Sequence, residues 1–479
     1  MDKNIQSPKL LKSFNLKMAI IIVMSAIIGS GVFKKVAPMA DLLHAPWLVV
    51  LAWLMAGIII MCGVLSIAEL GAMFPHSGGA YSWLEKIYGK KLGFLYGWAC
   101  FTVIQTAAIS SIAFVFSGAL GTFIDLPHLP SEWADINVLG LQPFSNIGAK
   151  FASCILIIAL TLVNIKGTKK GGNLSLVFTF LITVSILLIT CAAFTNDVGS
   201  IHTFETVSKN YPMGGFTFIG FISAMVLAIR NAFWGYEGWI ALGFIGEEIK
   251  NPKKNLPRAL IIGISSIILL YLLINSAYLY VMPIDEMMVS IRADENNIAA
   301  VLVINKLLGQ GGAYIISGMI LISTFGCTNA TILVSSRIYY AMAKKGFFFK
   351  KAALTHPKNK TPHHSLKYQC IWACILVFSG SFDMLTDMLI IVGFLFFGLV
   401  VLGVILLRIK EKDISRPYKM PGYPVVPAMF VLFCILLLGI SLYESPGKSL
   451  IGIGLVLSGL PFYYYWNKKK RKENNYLSE

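Results

Sequence analysis

The chain has 479 residues, 56% of them hydrophobic and only 13% charged, with a formal net charge of +17 and a mean hydropathy of +0.73. A soluble protein carries roughly 25% charged residues, so this composition excludes an ordinary soluble domain and indicates a multi-pass membrane protein. The positive charge would suit nucleic acid, but its placement along the chain assigns it to membrane topology instead.

Residues 1–15 form a short basic tail. The first apolar segment, 16–39, is too long for a signal-peptide core and has no small-residue cleavage site after it, so it is expected to be a first span rather than a removed leader. A bilayer crossing takes about 20 apolar residues. On that measure twelve segments qualify, near 16–39, 45–73, 93–121, 149–164, 173–195, 215–246, 258–282, 311–336, 368–382, 385–408, 424–443 and 447–466. Most of the 40 Lys and Arg fall in the N-terminus, the alternate loops 74–92, 165–172, 246–258, 337–367 and 408–420, and the C-terminal tail, whereas the opposite loops hold most of the Asp and Glu. This positive-inside pattern predicts cytoplasmic termini, and the basic loops suit anionic lipid headgroups. The expected fold is an all-α integral membrane protein of 12 transmembrane helices.

The first segment carries Ile27-Ile28-Gly29-Ser30-Gly31-Val32-Phe33. Glycine in a helix interior costs about 1 kcal/mol relative to alanine, and in hydrocarbon each freed backbone group needs a partner. The stretch therefore predicts an interrupted helix lining something polar. Lys34 and Lys35 follow it and either snorkel outward or line an external vestibule, snorkelling being the favoured reading. The loop Phe74-Pro75-His76-Ser77-Gly78-Gly79-Ala80-Tyr81 is punctuated by Pro and Gly-Gly. Behind it, Tyr81, Trp83 and Tyr88 suit the headgroup layer. Glu69, Glu247 and Glu248 read as partners of nearby cytoplasmic Lys or Arg. The eight cysteines all lie in apolar spans and read as buried and reduced.

The sixth segment is too long for one simple span. It holds Arg230 and Glu237 at membrane depth and the run Phe233-Trp234-Gly235-Tyr236-Glu237-Gly238-Trp239, a second predicted interruption. Interrupted helices at matching positions of two halves point to a transporter's binding site and to an inverted repeat. The expected organisation is a repeat over 16–195, a second over 215–408, peripheral helices over 424–466 and a polybasic tail over 467–479.

An interrupted helix exposes amides after the break and carbonyls before it. The amides of Ser30, Gly31 and Val32 suit a carboxylate. The carbonyls of Ile27 and Ile28 suit an ammonium, and Gly29 and Gly31 permit close approach. Carbonyls of Phe233, Trp234 and Glu237 could share the ammonium. One Gly-Ser-Gly alone would read as a helix-packing contact; two breaks, one per half, favour a site for a small zwitterion. Trp234 is either a lid or a packed tryptophan. Glu237, an ionisable group at depth, is either a proton carrier or the counter-charge of a cationic substrate. Arg230 joins it as a coupling or selectivity candidate, or points to the external opening.

No P-loop, Gly-x-Ser-x-Gly or zinc spacing occurs, and no soluble domain is large enough for nucleotide hydrolysis, so no enzyme, metal or cofactor is expected.

These motifs, together with Glu247-Glu248-Ile249-Lys250-Asn251-Pro252 and Ser336-Arg337-Ile338-Tyr339-Tyr340-Ala341-Met342-Ala343, resemble the amino acid–polyamine–organocation (APC) superfamily. The pattern is most similar to the L-type amino acid transporters and their bacterial relatives, in order from the first span to the last. The resemblance implies a five-plus-five inverted repeat, interrupted helices 1 and 6, two peripheral helices and alternating access. It also implies amino acid exchange or uptake, with Gly-Ser-Gly amides on the substrate carboxylate and Trp234 as the gate.

Three departures from the family pattern stand out. The fifth span, through Phe178-Thr179-Phe180-Leu181-Ile182-Thr183, lacks the lysine that many relatives place where others bind sodium, which leaves exchange, proton and sodium coupling open. Glu237 stands where neutral-selective relatives have a small residue. Residues 122–148 contain no cysteine, so a disulfide-linked heavy chain is not expected. The resulting expectation is an amino acid transporter of a bacterial plasma membrane, monomeric or weakly homo-oligomeric, working as an exchanger or proton-coupled permease. The alternatives are a polyamine or cationic-amine antiporter, or a non-transporting amino acid sensor, which the short C-terminal tail disfavours.

Overall fold

A computed structural model of the chain describes residues 12–134, 136, 143–209, 211, 217–293, 298–379 and 382–476. Most of the expected N-terminal tail, residues 215–216, 294–297 and 380–381 of the second repeat, part of the 122–148 loop and the last three residues lie outside this set. Among the described residues there is no strand, only an isolated bridge between Phe14 and Ile249.

Ten helices are long and apolar enough to cross a membrane among the described residues. Two of the twelve expected spans fall short of that measure, each for a local reason. The first is split into α1 (Leu16–Ile27), α2 (Gly31–Lys34) and α3 (Val36–Leu43). The ninth is the 17-residue helix His363–Ser379.

The first helix starts where Asn15 caps it, accepting from the Met18 amide at 2.9 Å, and satisfies one of the orphan donors of a helix start. It ends because Ile28 turns extended, with φ −71° and ψ 90°. α4 (Pro46–Met73) follows; α5 (Ala80–Tyr88) and α6 (Lys90–Leu120) come next. Within α6 a π turn spans Cys100–Ile104. α7 (Ile147–Ile165) and α8 (Thr168–Thr195) complete the first half of the chain.

α9 (Phe218–Tyr236) is the second interrupted helix. Its helical path stops at Glu237 and resumes as a 3₁₀ segment, Ala241–Glu248. Gly238, at φ +102°, makes the turn between them, a conformation that a side chain would strain. α10 (Pro252–Val281), α11 (Ile284–Ala293), α12 (Ala299–Leu308) and α13 (Gly312–Lys344) follow. The last helices are α14 (His363–Ser379), α15 (Phe382–Lys410), α16 (Val425–Glu444), α17 (Pro446–Leu457) and α18 (Gly459–Tyr476).

α1 packs against α10, α8 and α13, and α4 packs along α10. Helix association in lipid cannot rely on the hydrophobic effect, so small residues and internal hydrogen bonds carry it. Asn329 of α13 shows this. It accepts from Asn164 of α7 at 2.9 Å and donates to the Gly171 carbonyl and the Ser175 hydroxyl of α8 at 2.9 and 3.0 Å. Large aliphatic side chains such as Ile155, Leu188, Leu432 and Ile435 stay exposed on the outer faces of α7, α8 and α16, as lipid contact requires.

Several local expectations change. Tyr81 and Trp83 are each 1% exposed and belong to the protein interior, not the headgroup layer. Trp83 donates to the Phe74 carbonyl at 3.0 Å, and its ring packs beneath Gly243. Lys34 and Lys35 are buried rather than snorkelled outward. The eight cysteines are unpaired, but Cys191 is exposed and Cys370 and Cys374 are half-buried, because helix faces toward lipid are as apolar as those toward the core. The expected pairing with arginine is seen for Glu69 and Glu248, whereas the partner found for Glu247 is a hydroxyl. Glu69 pairs with Arg408 and Arg416 and Glu248 with Arg337, while Glu247 accepts from the Ser77 hydroxyl.

Candidate functional site

The two interruptions meet. A methyl group built on Gly31 would lie 2.4 Å from the Cα of Gly235, and one on Gly238 would lie 2.5 Å from the Ala26 carbonyl oxygen. Glycines at these positions therefore let the broken segments touch backbone to backbone. Between them lies a cavity lined by Ala26, Ile27, Gly29, Ser30, Gly31, Trp234, Glu237, Gly238 and Ala241, closed by Gln105, Ala108 and Ile112 of α6 and Cys327, Thr331 and Val334 of α13.

Of the expected site residues, Ile27, Gly29, Ser30, Gly31, Trp234 and Glu237 line this cavity, and Ile28, Val32, Phe233, Gly235 and Arg230 do not. The Ile28 carbonyl points to α13, where the Ser323 hydroxyl donates to it at 3.0 Å. Val32 is fully buried. Phe233 faces away and stacks on Phe394, with ring centroids 4.4 Å apart. Gly235 forms the wall against Gly31.

The carbonyls of the breaks already have partners. Tyr271 of α10 donates to both the Ile27 carbonyl at 3.1 Å and the Gly235 carbonyl at 2.8 Å, so a single hydroxyl bridges the two interruptions. Cys327 donates to the Ala26 carbonyl at 3.3 Å. A carbonyl has two lone pairs, so these contacts still leave acceptor capacity for a ligand. The Trp234 carbonyl accepts from the Glu237 amide at 3.3 Å. α9 stays helical to Tyr236, so the Trp234 carbonyl is partly engaged within the helix end, and the Gly235 carbonyl turns to Tyr271. Beyond the first break, Gly31 and Val32 occupy the first turn of a helix, where amides have no intrahelical acceptor.

The Trp234 indole donates to the Ser30 hydroxyl at 3.4 Å, a long hydrogen bond by ordinary geometry, and covers the cavity from the second break toward the first. Behind the second break, Trp53, Tyr236 and Tyr271 form an aromatic support with ring centroids 5.1–5.8 Å apart. The cavity holds about 20 Å³, room for about one water and far below the roughly 300–1,000 Å³ of small-molecule sites. As it stands, the space between the two breaks is too small to admit an amino acid.

Sequence reasoning missed Tyr271, Gln105, Ser323, Cys327 and Thr331. Gln105 had one available signal: an uncharged polar group inside an apolar span. It follows directly on the π turn of α6, a feature frequent near functional sites. Tyr271 had none, since tyrosine in an apolar span is unremarkable.

Arg230 is separated from the cavity. It lies four residues before Trp234 on α9, one turn outward, and borders a second cavity with Lys34, Lys35, Asp41, Arg292, Asp387 and Lys448.

Comparison with known proteins identifies the family. The amino acid permease family profile matches residues 14–461. The chain is 30% identical to the serine/threonine exchanger SteT of Bacillus subtilis over 465 residues, covering 96% of this chain and 98% of that protein. It is 30% identical to the human large neutral amino acids transporter small subunit 2 over 475 residues, covering 98% and 83% of the two chains. It is 29% identical to the human b(0,+)-type amino acid transporter 1 over 471 residues, covering 97% and 90%. Matched along nearly its whole length, the chain belongs to the amino acid permease family of the APC superfamily, a family of multi-pass membrane transporters.

Proposed function

We propose that this protein is a secondary amino acid transporter, working by alternating access as an exchanger or a proton-coupled permease. The observation that carries the reading is the contact of the two interrupted helices around one cavity, with Ser30, Trp234 and Glu237 converging on it. In the open state the Ser30–Val32 amides hold the substrate carboxylate, and the Ile27 carbonyl holds its ammonium, joined by the Ile28 carbonyl where that turns away from Ser323. Trp234 closes over it. Helix ends of opposite dipole face the two opposite charges that every amino acid carries.

In this reading residues 16–195 and 215–408 are two inverted five-helix repeats, with helices 1 and 6 interrupted and residues 424–466 peripheral. The basic loops and both termini face the cytoplasm across a plasma membrane. No disulfide-linked heavy chain is needed, since the 122–148 loop offers no cysteine. The test is uptake of labelled amino acids by the purified protein in liposomes, with and without internal amino acid and with and without a pH gradient. Stimulation by internal amino acid identifies exchange, and stimulation by the pH gradient identifies proton coupling. Absence of uptake for every amino acid would remove the proposal.

Glu237 determines the substrate class or the coupling. Glu237 is 9% exposed and lines the cavity beside Gly238. A carboxylate there complements a cationic side chain, and a carboxylic acid there can carry a proton. Glu237→Gln is expected to lower uptake of lysine and arginine at least about tenfold relative to neutral amino acids, the effect of losing about 1.4 kcal/mol of charge pairing, or to abolish the pH dependence. Competition assays over a pH series decide which. An unchanged substrate order together with an unchanged pH profile would make Glu237 a packing residue.

A further inference from the structure

The cavity between the breaks has two further walls. Gln105, Ala108 and Ile112 line it from α6, and Cys327, Thr331 and Val334 line it from α13. Spacings of three and four residues put each trio on one helix face. The breaks supply main-chain amides and carbonyls, which suit the two charges common to all amino acids. The side chain, where amino acids differ, is left to these two faces and to Glu237.

Most polar groups on and around these faces are already engaged. The Cys327 thiol donates to the Ala26 carbonyl at 3.3 Å, and the Thr331 hydroxyl donates to the Cys327 carbonyl at 2.9 Å. On α6 the hydroxyls of Thr102, Thr106 and Ser110 each donate to a carbonyl, at 2.9, 2.7 and 2.8 Å. Gln105 differs. It is 3% exposed and lines the cavity, and its carboxamide has no hydrogen-bond partner among the described residues. A carboxamide carries two donor hydrogens and an acceptor oxygen. Burying such a group unpaired is costly, so a ligand group is its fitting partner.

The direction of Gln105 is built into α6. The π turn Cys100–Ile104 ends at Gln105, whose backbone amide donates five residues back to the Cys100 carbonyl. One extra residue in a turn rotates the helix face that follows by about 100°, so this turn decides that Gln105 meets the cavity. Side chains from two other helices hold it. The Tyr339 hydroxyl donates to the same Cys100 carbonyl at 3.1 Å, and the Trp372 indole donates to the Thr102 carbonyl at 3.2 Å.

We infer that Gln105 reads the substrate side chain, and that the preferred substrates carry a neutral hydroxyl or carboxamide there, as serine, threonine, asparagine and glutamine do. An anionic side chain uses only the donors of an amide, a cationic one only its acceptor, and an apolar one neither. A hydroxyl or a second amide answers both. A site built to hydrogen-bond such a group also rejects the analogue that lacks it, because its own polar atoms are then left unpaired. The inference rests on the amino acid transport reading and narrows it to a substrate class.

Threonine and valine provide the test, since they differ by a hydroxyl in place of a methyl. Uptake by the full chain in liposomes should favour threonine over valine about tenfold, the effect of one hydrogen bond, and should favour asparagine over leucine in the same way. Gln105→Met, close in volume and without the amide, should bring the threonine-to-valine ratio to within about twofold of one, since nothing is then left to pair with the hydroxyl. A ratio does not depend on how much of the variant inserts in active form. The same preference is read at equilibrium by displacing labelled threonine from the protein in detergent with each amino acid. A wild-type ratio at or below one, or a preference for threonine that Gln105→Met retains, would overturn the assignment and leave the transport reading in place. A Gln105-dependent preference in binding without any transport would keep the assignment and remove the transport reading. Neither binding nor transport would remove both.

Discussion

Gly31→Ala is expected to reduce amino acid uptake by about one to two orders of magnitude while the protein still folds and inserts. The added methyl would lie 2.4 Å from the Gly235 Cα, 2.8 Å from the Gly235 nitrogen and 3.2 Å from the Trp234 carbonyl carbon. All three are backbone atoms, so no side chain can rotate away. Overpacking of this kind costs roughly 1–3 kcal/mol, and a bias of that size between two conformations is roughly 5- to 150-fold in population. The penalty falls on the arrangement in which the breaks touch, and any arrangement in which a substrate holds the segments apart would escape it. Uptake should fall because the touching arrangement is disfavoured, and equilibrium binding should fall less. Gly439→Ala is the control, since nothing lies within 4 Å of its added methyl. Uptake rates and elution profiles of the two variants check the prediction; wild-type uptake by Gly31→Ala would show that the breaks need not meet during transport.

The spans and both interruptions were legible because they are local properties. A run of about 20 apolar residues needs a helix, and Gly-Ser-Gly or Gly-Tyr-Glu-Gly in such a run disrupts one. The lining of the cavity was legible only on the broken helices themselves. Gln105, Cys327 and Thr331 complete it from α6 and α13, and which face of an all-apolar span points inward depends on neighbours rather than on its own pattern. α4 illustrates the difficulty, being apolar around its whole circumference, with Trp53 wholly buried and Trp47 exposed on the same helix. The misplacement of Phe233 has a similar origin. The sequence marks where a helix is weakened, but the last helical residue is set by what captures the released carbonyl, here Tyr271 from another helix. Lys34 and Lys35 were misjudged because snorkelling assumes a lipid neighbour, whereas the folded chain surrounds them with protein and a polar cavity.

The second large effect is expected at Arg337 and Glu248, each 1% exposed. The guanidinium grips the carboxylate in two bonds of 2.7 and 3.1 Å and also donates to the Ser336 hydroxyl at 3.1 Å. The Glu248 carbonyl accepts from the Phe14 amide, and the Phe14 carbonyl accepts from the Lys250 amide. This node therefore joins the far end of the second broken helix to α13 and to the chain entering the first broken helix. Gly79 abuts the backbone of Gly243 and the Gly78 amide donates to Phe244, so the 74–81 loop seals the same end. Removing one partner of a buried pair leaves an uncompensated charge and costs roughly 3–5 kcal/mol, whereas replacing both with apolar groups of similar volume is often neutral or stabilising. Arg337→Ala and Glu248→Ala should each lower the melting temperature markedly and reduce the yield of monodisperse protein. The double variant Arg337→Met/Glu248→Leu should regain most of that stability, a non-additivity expected of residues in direct contact. Its uptake distinguishes two roles. If the pair only holds the fold together, the double variant transports as well as it folds. If the pair must separate and re-form each time this end of the protein opens, the apolar replacement keeps the seal shut in a stable protein, and uptake stays low. The position of the pair, on the segment that continues directly from the cavity at Glu237 through Ala241 to Glu248, favours the second outcome.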